Sequence, residues 1–195
     1  MAVYGRSPKC FFKEQSRMTT QRTSPEGLQA EMPWPLRFDS FSFGTRAFNT
    51  LRCNIIFRGH QFALDDELDG PSGPPPSPDW KDRWTASFIV ANWMMPPGPV
   101  EIRWTSLDGV EHYVEIDLIK DIFPDLAVLH NVPKEDVNEA WARYDKDTPD
   151  VLMEINDRTI NVYMSAMVLT KSPPNPARPD VLFRNDLVLA WTKNY

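Results

Sequence analysis

The stretch Pro99–Leu118 limits the folds open to this chain more than any other. Val100, Ile102 and Trp104 alternate with Glu101, Arg103 and Thr105. After Asp108-Gly109, Val110, His112, Val114, Ile116 and Leu118 alternate with Glu111, Tyr113, Glu115 and Asp117. A period of two puts one set of side chains on a core face and the other in water. Asp-Gly between two such runs is a strong hairpin signal, because glycine supplies the positive φ that a tight turn needs. The chain therefore contains an antiparallel sheet with one wet face.

Other segments repeat the pattern. Leu51, Cys53, Ile55 and Phe57 alternate with Arg52, Asn54 and Arg58. Val151, Met153 and Ile155 lead through Asn156-Asp157 into Ile160, Val162, Met164, Ala166 and Val168, a second hairpin. Leu36–Phe43 reads as a strand with a bulge or bend near Ser40, where the apolar parity shifts, and Gly44–Asn49 reads as the turn after it. Trp80–Val90 reads as a strand with Trp84, Ala86, Phe88 and Val90 on one face, and Val181–Thr192 as a last strand with Leu187, Leu189 and Trp191 together. Pro133–Tyr144 is the one good helix candidate, with Pro133 in the first turn, Glu135 and Asp136 near the positive end, and Val137 and Trp141 four apart. The 19 prolines against 8 glycines favour short elements and long loops, above all at residues 65–79. These signals predict a mainly β fold: an antiparallel β-sandwich of about seven or eight strands with one short helix. Residues 1–32 read as a flexible N-terminal tail and residues 33–195 as a single β-sandwich domain.

Charge is unevenly spread. The net charge is −6, yet residues 65–157 hold 21 Asp and Glu against 7 Lys and Arg. An acidic middle argues against nucleic acid, whose phosphates need a basic surface, and suits a basic protein partner. The two cysteines, Cys10 and Cys53, are too few for a disulfide framework. No apolar run is long enough for a membrane span, and the first residues lack the apolar segment of a signal peptide. The chain as written is expected in the cytoplasm, or in the periplasm if its start is misassigned, since Met18 would serve equally well.

Motifs for chemistry are sparse. Asp65-Asp66-Glu67-Leu68-Asp69-Gly70 resembles the opening of a calcium-binding loop, but its twelfth position is Pro76 where a bidentate Glu is needed. His60, His112 and His130 have no metal-ligand spacing, and His112 stands out only because its parity places it among apolar residues. No nucleophile elbow, phosphate loop, dinucleotide fingerprint or zinc-protease motif is present, so no catalytic residue, metal or cofactor is assigned. Glu101, Glu111 and Glu115 share the outward parity of the hairpin. Trp34, Trp80 and Trp93 fall at loops or strand starts, where aromatic side chains can anchor a partner.

Several segments also carry a family resemblance: Leu36-Arg-Phe with Phe43-Gly, Leu51-Arg-Cys, Arg103-Trp-Thr-Ser-Leu-Asp-Gly-Val-Glu-His, Leu129-His-Asn-Val-Pro and Asn156-Asp-Arg-Thr-Ile-Asn-Val-Tyr-Met. Across roughly residues 33–195 the chain resembles uncharacterised bacterial proteins encoded near type VI secretion effectors. Similar immunity proteins bind and block a toxic lipase effector, and many carry a lipoprotein signal that this sequence does not show. The resemblance implies a non-catalytic protein-binding module, an immunity or accessory protein of a bacterial toxin or type VI secretion system, which occludes a basic toxin or effector. The residues expected to meet that partner are Asp65, Asp66, Glu67, Asp69, Trp80, Glu101, Glu111 and Glu115. Two alternatives stand beside it: a carbohydrate-binding or glycan-processing β-sandwich, and a structural component of a secretion or phage particle.

Overall fold

The computed structural model describes residues 31–64, 71–144 and 148–195. All but the last two residues of the predicted tail, and the acidic run Asp65–Gly70, lie outside the described residues. The elements are β1 (Phe41–Phe48), β2 (Thr50–Phe57), β3 (His60–Leu64), β4 (Phe88–Val90), β5 (Val100–Ser106), β6 (Glu111–Ile116), α1 (Glu139–Tyr144), β7 (Asp150–Asn156), β8 (Thr159–Ser165), β9 (Val168–Leu169), β10 (Phe183–Arg184) and β11 (Leu187–Asn194). The mainly β, multi-sheet architecture expected from the alternation is observed. The strand count exceeds the expected seven or eight because β4, β9 and β10 span only two or three residues each.

One sheet has five strands in the order β11-β8-β7-β1-β4, the other four in the order β3-β2-β5-β6, and β9 and β10 pair separately. Pairing is antiparallel except for β1 and β7, which run parallel from Ser42↔Asp150 to Phe48↔Asn156. Between these two strands the chain builds the whole four-stranded sheet, which supplies the long connection a parallel pair requires.

The inner faces form the core. Phe41, Phe43, Val151, Met153, Ile155, Ile160, Val162 and Met164 from the five-stranded sheet meet Cys53, Ile55, Phe57, Val100, Ile102, Trp104 and Ile116 from the other. Each large apolar side chain buried there stabilises the fold by about 1.5–3 kcal/mol. At one end, turns from both sheets clasp. The Trp104 indole N–H donates to the Asp157 carbonyl at 2.8 Å, Leu107 N–H donates to the Asp157 carboxylate at 2.9 Å, and Arg158 pairs with Asp108 at 3.4 Å.

Four local expectations are corrected. Gly44–Asn49 is not a turn: β1 continues to Phe48 and the chain reverses at Asn49, whose φ is +52°. Gly44 belongs to the strand because Ala86 packs onto it, and a Cβ there would come within 3.1 Å of the Ala86 backbone. Trp80–Val90 is not one strand. Trp80–Arg83 forms a 3₁₀ turn and only Phe88–Val90 pairs, since this segment crosses a sheet face instead of joining it. The helix does not begin at Pro133. Val137 is extended and bridges Thr170, so α1 starts at Glu139, where the Asn138 side chain accepts from Trp141 N–H at 3.1 Å. Leu189 does not share a face with Trp191, because a bulge between them sends Leu189 outward, 51% exposed, while Trp191 packs on the core.

Candidate functional site

The two sheets present very different outer faces. On the five-stranded sheet, Leu152 and Glu154 point away from the core yet are buried. Residues 71–87 cover them. Ser72 N–H donates to the Thr50 carbonyl at 2.8 Å and fixes one end, and Ala86 N–H donates to the Asp150 carboxylate at 3.2 Å at the other. In between, Trp80 packs on Phe48 and Trp84, with ring centroids 4.6 and 4.9 Å apart. Lys81 reaches down, with its Nζ 3.0 Å from Glu154 Oε2 and donating to the Tyr163 hydroxyl at 2.6 Å. Tyr163 donates to Glu154 at 3.0 Å, and Asn161 and Asn156 donate to the same carboxylate at 3.3 and 3.4 Å. A carboxylate taken out of water is costly unless it gains such a set of partners. Burial alone would push Lys81 down, but Tyr163 and Glu154 outweigh it and hold the ammonium above its ordinary value. Burial, foremost, raises the Tyr163 phenol. The cluster is a lock on the covering segment.

The outer face of the four-stranded sheet has no such cover among the described residues. Registers of β2, β5 and β6 place its side chains on a three-by-three lattice. One row is Arg52, Thr105 and Glu111, the next Asn54, Arg103 and Tyr113, and the third Ile56, Glu101 and Glu115. A shallow groove of about 630 Å³ lies over the first two rows. Arg103 sits over the Tyr113 ring at 5.0 Å, and Tyr113 donates to Glu115 at 2.5 Å. Tyr113 is 52% exposed. Its phenol is raised, first by the hydrogen bond to Glu115, then by partial desolvation and by the charges of Glu115 and Glu101. Glu101 and Glu115 are direct cross-strand partners. Like charges in that position oppose each other and destabilise a sheet.

The structure thus brings together three of the expected partner residues, Glu101, Glu111 and Glu115. Trp80 lies on the other sheet's covered face, half-buried between aromatic neighbours. Asp65, Asp66, Glu67 and Asp69 lie outside the described residues. Sequence reasoning named none of Tyr113, Arg103 and Arg52 as partner residues. The hairpin's outward parity contained two of them, but only the β2–β5 register adds Arg52. Of the other tryptophans at loops, Trp93 is 79% exposed and Trp34 leans edge-on against His130.

His112 is accounted for by packing. Its ring stacks on Trp104 at 4.6 Å and 17°, and its Nε2 lies 3.0 Å from the Ser106 hydroxyl, which donates to Asp108 at 2.5 Å. A catalytic triad places the imidazole between the serine and the carboxylate. Here the serine is in the middle and is fully buried, so the trio closes the hairpin turn. The same bond, foremost, holds the Asp108 carboxyl below its ordinary value. Among the described residues, no three His, Cys, Asp or Glu side chains gather in a way that could hold a metal ion, and no helix is long and apolar enough to cross a membrane. Comparison with protein-family models, with curated proteins and with solved structures gave no match.

Proposed function

We propose that the protein is a non-catalytic binding module, an immunity or accessory protein of a bacterial toxin or type VI secretion system, which works by occlusion through the outer face of its four-stranded sheet. The observation that carries this reading is the facing pair Glu101 and Glu115 beside the exposed Tyr113. Two carboxylates held opposite each other on an exposed strand pair weaken the free protein, and a basic group from a partner would relieve them. Tyr113 supplies the aromatic anchor that interface centres favour. A twisted but rigid sheet face loses little conformational freedom on binding, which suits it to covering the mouth of a partner's active site. The acidic middle of the chain would speed encounter with a basic toxin.

Co-expression with the product of the adjacent gene tests the reading. The expected result is a complex that survives purification at micromolar concentration and protects cells from that product. Absence of both association and protection overturns it.

A further inference from the structure

We propose that the partner engages this face by adding a strand to the free edge of β6, and that the added strand is a basic segment of the pattern basic–apolar–aromatic–apolar–basic. This rests on the binding-module reading and specifies its partner. Ser106 N–H donates to the Val110 carbonyl at 3.0 Å, which makes these two a hydrogen-bonded pair. Alternation along the antiparallel ladder then turns the backbone groups of His112, Val114 and Ile116 toward β5, and those of Glu111, Tyr113 and Glu115 outward. All three outward residues are exposed, and among the described residues β6 is the outermost strand of its sheet.

The other edges of the two large sheets are poor templates. β4 is three residues long, β3 is irregular against β2 between Ile55 and Ile56, and β11 is bulged between Leu189 and Trp191. Short and bulged edges resist strand addition. β6 keeps an unbroken register from Glu111 to Ile116. Charge then selects the guest. A second copy of β6, paired antiparallel about Tyr113, would set Glu111 against Glu115 twice, which like-charge repulsion opposes. A strand with Lys or Arg at the two outer positions meets the same carboxylates favourably and places its central residue against Tyr113. Its intervening residues fall on the inner face beside Val114, which is only partly buried although it packs on the core. Main-chain bonds would supply affinity and the alternate side chains specificity.

The probe is a fluorescein-labelled peptide, Gly-Ser-Lys-Val-Tyr-Val-Lys-Ser-Gly, titrated with the full chain by fluorescence anisotropy. Saturable binding at about 100 μM or below is expected. N-methylation of the central tyrosine amide should weaken it at least about tenfold, since that amide faces β6. Exchanging both peptide lysines for aspartate should abolish it. In the protein, Tyr113→Pro removes an outward N–H without touching the β5 ladder and should abolish binding, whereas Tyr113→Ala keeps the N–H and should retain part of it. If Tyr113→Pro fails to fold, the N-methyl peptide decides alone. No binding at about 1 mM, or binding indifferent to N-methylation, overturns strand addition. The occlusion reading fails separately, by loss of capture and protection with the adjacent gene's product.

Discussion

The outer faces of the two sheets answer the same problem in opposite ways. Behind β7 and β8 the five-stranded sheet is sealed by residues 71–87, so β7 is buried on both sides from Val151 to Ile155. Behind β5 and β6 the four-stranded sheet has no cover among the described residues, and burial there alternates residue by residue. The sealed face holds a carboxylate, Glu154, with every oxygen engaged. The open face holds two carboxylates, Glu101 and Glu115, set against each other. A charged group that is fully satisfied serves the fold. Charged groups left in opposition on an accessible surface are available to something outside it.

The sharpest contrast should appear on truncation. Trp84→Ala, on the sealed face, is expected to lower unfolding free energy by about 3–5 kcal/mol in urea titrations. Glu154→Ala, which strands the Lys81 ammonium, should lose about 3 kcal/mol. Tyr113→Ala, on the open face, should leave the urea midpoint unmoved, and a midpoint shift comparable to Trp84→Ala would erase the distinction. Gly44→Ala should be destabilising by about 1–3 kcal/mol, because its methyl group meets the Ala86 backbone and Leu152.

Alkaline pH acts in the same direction on both faces. The raised groups of the sealed face are enclosed, whereas the Tyr113 phenol of the open face is exposed to solvent screening. Lys81 and Tyr163 are both raised above their ordinary values of 10.5 and 10.0. Each therefore binds its proton more tightly folded than unfolded. The stabilisation is complete below the unfolded values and is lost as pH rises through the folded ones. Melting between about pH 9 and 11.5 should show that loss, and Tyr163→Phe should flatten it. The smallest expected effect has the opposite sign. Glu101→Gln should stabilise the protein by about 0.2–1 kcal/mol at low salt, with the gain shrinking as salt rises. A destabilised Glu101→Gln would mean that the facing pair is compensated within the fold.

Much of this contrast was legible in the sequence, but only on one side. The β5–β6 hairpin alternates cleanly because one of its faces is wet, so its parity, its turn and its three outward glutamates could be read directly. Trp104, Ile102 and Ile116 were placed in the core for the same reason. The sealed face was not legible. Val151, Met153 and Ile155 suggested simple alternation, and Leu152 between them was the one residue hinting at a second buried face. Nothing local identifies Glu154 as buried, since its burial depends on a segment 70 residues earlier folding across it. Residues 65–79 read as a loop from their prolines, yet Ser72 and Gly73 anchor to Thr50 and Asn49 through bonds no short-range pattern encodes. The helix boundary was missed because Val137 joins a bridge to Thr170, a tertiary contact that overrides a good local signal.

The open face is proposed to serve a partner and not the fold. The most direct test is the double variant Glu111→Lys/Glu115→Lys, with urea stability and capture of the adjacent gene's product measured on one preparation. The predicted result is stability no lower than that of the parent, since a lysine at position 115 would face Glu101 favourably, together with capture weakened at least about tenfold. Undiminished capture would contradict it.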